Sequence, residues 1–329
     1  MWLVKDMKVD LHRHGVMFGA QYDFLKSVFL MEMPLLNYWK HEANLYDLAE
    51  VFHENTKMEK CLTGRVGSWV TMFARPDMMK AVSHISPTYG MAEKILLPTK
   101  NMEMSRRIDK AIMERRSLRD FTDEPVTLEE LSKLLYYGDG VTCCIRFPEI
   151  HTGEDIVQFF RTSPTGGGLY PIDLYVAATH VEGLKEGIYH YNIMEHALEV
   201  VNCEVENFEE TVVKCFSVPK EIIDVGRVPV IFIMIATFWR TMAKYGPRGY
   251  RYVLQESGHI AQNFYLAACA LDLGCVAVEA FYDDEINDLI GLDGVEQATV
   301  YTVFVGKPAT QRIPVEPLKA GQARRGVKR

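Results

Sequence analysis

Four short segments of the chain carry residue types that can do chemistry. The first, Arg115-Arg116-Ser117-Leu118-Arg119-Asp120-Phe121, puts three guanidiniums and a hydroxyl within five positions. Guanidinium binds phosphate through paired, charge-assisted hydrogen bonds, so the segment suits an anion. A solvated helix end, its arginines favoured by the helix dipole, accounts for the same residues. The second segment, Ser163-Pro164-Thr165-Gly166-Gly167-Gly168-Leu169-Tyr170-Pro171, runs directly into an apolar strand. Three glycines let backbone approach a flat ligand closely and offer it N–H groups. The spacing is not that of a dinucleotide fingerprint, which opens a helix. Nor is it a P-loop, because no Gly-Lys-Ser/Thr follows, and a plain loop is the alternative.

The third segment is Lys244-Tyr245, between a strand and a long helical pattern. Two groups with ordinary pKa values of roughly 10 sit side by side there. Desolvated near cations such as Arg240, Arg248 and Arg251, a partly neutral lysine or a tyrosinate could serve as a base. The competing reading is a surface loop of cations and aromatics. In the fourth segment, Cys275 to Phe281, Glu279 interrupts an apolar strand and Ala280 follows it. A charge in that place is costly unless paired, so it predicts a ligand, a partner or a salt bridge at the strand end.

Other candidates carry less. Asp10-Leu11-His12-Arg13-His14 contains an HxH metal-ligand pattern, but the chain does not offer the eight β/α units of the barrel that uses it. His259 reads as a satisfied core or interface histidine. Seven cysteines, an odd number without a CxxC pair, argue for reduced thiols and against structural zinc, and no metal is expected.

The elements that must position these groups are legible from residue 105 onward. Ile108–Arg115 and Thr127–Tyr137 read as helices, the second opened by a capping box of Thr127 and Glu130. Strand patterns cover Ile172–Ala178, Ile188–Tyr191, Ala197–Val201, Val228–Ile235 and Thr299–Val305. The longest helical pattern, about Tyr250 to Leu273, has a wide apolar face, and Gly274 stands where a C-terminal cap is expected. The sum is an α+β domain over 105–310, a mixed sheet flanked by helices around one long central helix. Residues 1–104 read as a helical arm or small subdomain. Residues 311–329 form an extension whose basic tail, Lys319–Arg329, reads as a frayed terminus.

At 329 residues, 48% hydrophobic and 24% charged, the composition is that of a globular chain with a full core. A formal charge of −8 gives no general attraction for nucleic acid. The run Phe24–Leu36 is too short and too charged to span a bilayer. The N-terminus lacks the apolar core of a signal peptide, and a cytoplasmic protein is expected.

Taken in order, these segments resemble the FMN-dependent nitroreductase superfamily, and more narrowly its SagB-type dehydrogenase branch, which oxidises azolines to azoles. RRSLRDF with the helix TLEELSKLL, the loop SPTGGGLYPIDLYV, the run GLKEGIYHYN with HALE, the helix GHIAQNFYLAACALDLGC and the strand VEAF carry the likeness. Thr165 replaces the usual serine of the loop, and Ala280 replaces a glycine. The stretch His53–Lys57 looks like the usual lead-in to the domain.

The resemblance implies that Arg115, Arg116, Ser117 and Arg119 hold the FMN phosphate and ribityl chain, assisted by Lys307 and Arg312. It implies that Ser163, Thr165, Gly166, Gly167 and Gly168 line the flavin ring from the other subunit of an entwined homodimer, with Glu279 and Ala280 near its N5. Lys244 and Tyr245 would be the catalytic pair. The implied reaction is oxidation of a thiazoline or oxazoline on a ribosomal peptide or a nonribosomal peptide synthetase, alone or with a cyclase complex. Two rivals are a general NAD(P)H-dependent nitro- or quinone reductase, and a flavin-less binding or scaffolding protein.

Overall fold

The runs Ile172–Ala178 and Val230–Thr237 are buried at every position, which a strand shows only when both of its faces are covered. The structure, a computed structural model, describes residues 45–57, 91–148 and 155–309, with isolated positions between 67 and 90. His12, His14, Phe24–Leu36, Arg312 and Lys319–Arg329 lie outside the described residues.

Along the chain come α1 (Leu45–Asn55), β1 (Lys94–Leu96), α2 (Ile108–Glu114), α3 (Leu128–Asp139), and a hairpin of β2 (Val141–Pro148) and β3 (Asp155–Arg161). There follow β4 (Ile172–Ala178), β5 (Gly187–Asn192), β6 (Ala197–Asn202), α4 (Phe208–Lys214), β7 (Val230–Thr237) and α5 (Phe238–Tyr245). The long helix α6 (Gly249–Ala270), β8 (Gly274–Val278), α7 (Asp283–Ile290) and β9 (Gln297–Gly306) complete the order.

Seven strands form one sheet in the order β1-β6-β5-β4-β7-β9-β8. Its ladders are antiparallel, and a parallel bridge from Ser117 to Cys275 extends the β8 edge, so the sheet is mixed. The edge strand β1, from before residue 105, pairs with β6.

Alternation sends Ile172, Leu174 and Val176 to one face of the sheet and Tyr175 and Ala177 to the other. The first face packs under Leu131, Leu134 and Leu135 of α3 and Val253, Ile260 and Phe264 of α6. The second is covered by Phe208 and Val212 of α4 and Ile286 and Ile290 of α7. At the centre the Phe232 ring stacks on Phe264, with centroids 4.1 Å apart.

The capping box at Thr127 and Glu130 forms as the sequence predicts. The end of α6 differs. Asp272 takes the left-handed conformation at φ 58°, and Leu273 N–H reaches back to Ala268 C=O at 2.8 Å. That is a Schellman ending built on an aspartate, one of the few non-glycine residues that tolerates this region, and it leaves Gly274 free to open β8. The hairpin of β2 and β3 has no counterpart in the sequence reading. Much of β2 is exposed, so no buried face imposes a readable alternation on it. Among the described residues, no helix is long and apolar enough to cross a membrane, and no group of side chains could hold a metal ion.

Candidate active site

Helix α5 ends at Tyr245, and a turn at Gly246 with φ 61° swings the chain into α6. This turn brings Lys244 and Tyr245 onto the triglycine loop. Lys244 Nζ lies 3.5 Å from the Gly167 carbonyl, and Gly166 packs beside the Tyr252 ring. Gly167 and Gly168 have φ of 72° and 73°, a conformation that side chains rarely adopt. A Cβ at Gly167 would collide with the Tyr245 hydroxyl and the Lys244 ammonium, and one at Gly168 with the Gln158 amide. Gly167 and Gly168 are thus favoured by conformation, while the flexible tips that crowd them would have to move for any side chain placed there.

Burial drives the electrostatics of the pair. It lowers the Lys244 pKa from the usual lysine value and, with a small contribution from Tyr252, raises that of Tyr245. The sequence reading of an arginine-tuned pair is corrected here. Arg240 is buried against Asp173 at 2.9 Å, while Arg248 and Arg251 donate to the Thr56 carbonyl and hydroxyl at 2.8 and 2.7 Å. A tyrosinate is disfavoured, and Tyr245 is a neutral phenol. Arg248 and Arg251 instead fasten the His53–Lys57 stretch, at the end of α1, beside the pair. The Phe73 ring centroid, 5.8 Å from Lys244 Nζ, also faces it.

Beneath the loop lies a buried polar network. Ser163 donates to Asp139, which also accepts from Arg161 at 2.7 Å. Thr165 accepts from the Tyr170 N–H at 3.1 Å and donates to Glu256 of α6. Burial raises the pKa of both acids, that of Glu256 to about 8. Sequence reading missed Glu256, Asp139 and Arg161. Glu256 left a signal: it falls three residues after Val253 and four before Ile260, on the buried stripe of α6.

The other expected residues gather elsewhere. Ser117 Oγ lies 3.1 Å from the Tyr265 hydroxyl, and Arg115 sits over the Tyr265 ring at 5.4 Å. Tyr265 in turn accepts from the Ala277 N–H of β8 at 2.9 Å. Arg116 folds onto the carbonyls of Met113 and Arg115, and Arg119 is exposed. Lys307 reaches Glu130 of the capping box.

Glu279 and Ala280 are exposed in the loop after β8. The strand ends at Val278, so the carboxylate does not interrupt it as the sequence suggested. Glu279 lines an open cleft of about 550 Å³ with Phe238, Met242, Tyr250 and Leu254. His259, read as a core or interface residue, is exposed in the single chain.

Tyr252, beside the loop, and Tyr265, beside the arginines, are thirteen residues apart on α6, roughly 20 Å of helix rise. One chain therefore brings together Lys244, Tyr245 and the glycine loop, and separately Arg115 and Ser117, but does not join the two groups.

The chain belongs to the nitroreductase family, whose model matches residues 112–307. A Methanocaldococcus jannaschii protein named as a nitroreductase is 35% identical over 184 residues, 56% of this chain and 84% of that one. The trifolitoxin-processing protein TfxB of Rhizobium leguminosarum is 28% identical over 173 residues, 51% of this chain and 44% of that one. The microcin B17-processing protein McbC of Escherichia coli is 27% identical over 151 residues, 44% of this chain and 54% of that one. The chain thus matches about half the length of these two processing proteins.

Among solved structures, a Ralstonia eutropha protein described as a nitroreductase shares the fold with a TM-score of 0.52 and 22% identity, over 68% of this chain and 94% of that one. A chain of the E. coli microcin synthetase McbBCD complex, bound to truncated pro-microcin, shares it with a TM-score of 0.50 and 19% identity, over 85% of this chain and 99% of that one.

Members of the family are generally flavin-dependent. The residues here fit such a group. Among the described residues no acidic side chain pairs with Arg115, Arg116 or Arg119, and the Gly167–Gly168 backbone forms a cradle that the flexible ends of Lys244, Tyr245 and Gln158 occupy.

Proposed function

We propose that the protein is an FMN-dependent azoline dehydrogenase, converting a thiazoline or oxazoline on a peptide or carrier-protein-bound substrate to the aromatic azole. The observation that carries this reading is the placement of a half-buried lysine with a lowered pKa, paired with a neutral tyrosine, on the glycine loop. Aromatisation removes one ring hydrogen as a proton and a second with its electron pair, and bound FMN supplies the acceptor for the latter. The proton needs a positioned base, and Lys244 in its neutral form is that base. Tyr245, held as a phenol, orients the substrate by hydrogen bonding.

Arg115, Arg116, Ser117 and Arg119 would bind the phosphate and ribityl chain, with Lys307 and Arg312 assisting. Ser163, Thr165 and Gly166 to Gly168 would line the ring from a second copy, in a homodimer, and Glu279 and Ala280 would lie at its N5 edge. The names of TfxB and McbC, both processing proteins of peptide products, support a peptide substrate. A ribosomal peptide handled within a cyclase complex and a chain held on a nonribosomal peptide synthetase both present such a ring, in the cytoplasm.

The 35% identical archaeal relative favours a second reading, a general NAD(P)H-dependent nitro- or quinone reductase. One preparation decides between them. Azoline oxidation and NAD(P)H-driven nitro reduction are measured side by side for the wild type and Lys244→Ala. The proposal expects the variant to lose the first activity and keep whatever the wild type has of the second. A wild type that reduces nitro compounds and leaves azolines untouched would overturn it.

A further inference from the structure

Three carboxyls and two guanidiniums are buried together between α3, β4 and the start of α6. Asp139 pairs with Arg161 at 2.7 Å and Asp173 with Arg240 at 2.9 Å, leaving Glu256, 2% exposed, as the one carboxyl without a cation of its own. Oε2 of Glu256 accepts from Thr165, and its Oε1 is buried with no hydrogen-bond partner among the described residues. If all five groups were ionised, the cluster would hold an uncompensated negative charge out of water, which is strongly disfavoured. With a proton on Glu256 the charges cancel.

We propose that Glu256 is a positioning residue: with Thr165, and beside the Asp139–Ser163 pair, it fixes the Gly166–Gly168 loop against Lys244 and Tyr245, and the cluster holds the loop only while Glu256 keeps its proton. The inference rests on the reading of that loop as the wall of the flavin site. The groups that face Glu256 are Asp139 of α3, Arg161 of β3, Asp173 of β4 with its partner Arg240 of α5, and Thr165 of the loop itself. Burial dominates and puts the transition at about 8; the Thr165 hydrogen bond and Arg161 favour ionisation, and both aspartates disfavour it. Above that pH the new anion repels Asp139, which holds Ser163, and Asp173, whose partner Arg240 donates to the Tyr170 carbonyl. This repulsion outweighs the firmer hydrogen bond from Thr165 and loosens the loop. With Ser163 held by Asp139 and the Tyr170 carbonyl by Arg240 at 3.1 Å, both flanks of the triglycine segment hang on this cluster.

Glu256→Gln keeps the shape and the acceptor for Thr165 but cannot ionise. Three pH series compare it with the wild type: thermal unfolding, FMN affinity by fluorescence quenching, and azoline oxidation. The folded-state pKa is raised above the unfolded carboxyl value, so the wild type loses stability as pH rises from the unfolded value to about 8 and no further. The melting-temperature gap between variant and wild type should widen over that window and then stay constant. Between about pH 7 and pH 9.5 the wild-type FMN affinity and kcat should each fall about five-fold or more relative to the variant.

A gap that widens while affinity and kcat run parallel in both proteins makes Glu256 merely structural and overturns the proposal. Coincident curves in all three series overturn it as well. If neither protein oxidises an azoline, the assigned reaction fails separately, and the FMN affinity series still decides. Should Glu256→Gln fail to fold, Glu256→Met removes the same charge while filling the same space. It is expected to remove the fall in FMN affinity above about pH 8, and a fall that persists contradicts the proposal.

Discussion

Lys244 and Tyr245 experience the same burial with opposite results, because in each case the charged form is the one disfavoured. The lysine becomes easier to deprotonate and the phenol harder. A neutral lysine acting as base makes azoline oxidation rise with pH through the Lys244 pKa, which lies below the ordinary lysine value. Lys244→Arg keeps the charge but cannot release its proton, so rates should drop on the order of a hundred- to ten-thousand-fold with the rising limb abolished.

Gly167→Ala tests the cradle. Its φ of 72° costs alanine about 1–2 kcal/mol, and the new methyl displaces the mobile tips of Tyr245 and Lys244. Activity should fall much more than stability, as steady-state rates and a melting curve on one sample would reveal. At this scale the sequence was informative about types and spacing: the glycines, the Lys-Tyr pair and the arginines stood out as written. It could not tell that Arg240, Arg248 and Arg251 turn away from Lys244, because that depends on partners, Asp173 and the end of α1, distant in the chain.

Among the elements, α6 sets the geometry of everything else, since its N-terminal half carries Tyr252 and Glu256 and its C-terminal half carries Tyr265. Its fixed point is Phe264, fully buried, stacked on Phe232 and closed in by Gly138 of α3, where a Cβ would come within 2.7 Å of the ring. Phe264→Ala should destabilise the fold by about 3–5 kcal/mol, measured by chemical denaturation. The strands of the main sheet were readable because burial on both faces or on alternate faces leaves its mark on composition, as in Ile172–Ala178. The end of α6 was not, because an aspartate at 272 took the role that Gly274 seemed placed to fill. The β2–β3 hairpin escaped because exposed strands such as Thr142–Phe147 need no apolar alternation.

For the molecule as a whole, the proposed reading has the two residue groups, separated along α6, meet in a site completed by a second copy. Subunit mixing tests this. Arg115→Ala combined with Arg119→Ala should abolish flavin retention, and Lys244→Ala should abolish proton removal, so each homodimer is inactive. Random reassociation makes about half the dimers mixed, and each of these carries one intact site, restoring roughly a quarter of wild-type activity. Mixtures as inactive as their parents would place the whole site within one chain.

The most direct test of the account is the mass of an azoline-bearing peptide after incubation with the FMN-loaded protein. Loss of two hydrogens with the wild type, retained flavin but little or no such loss with Lys244→Ala, and an intermediate rate with Tyr245→Phe is the predicted result. An unchanged substrate mass with a flavin-loaded wild type, or full conversion by Lys244→Ala, would contradict it.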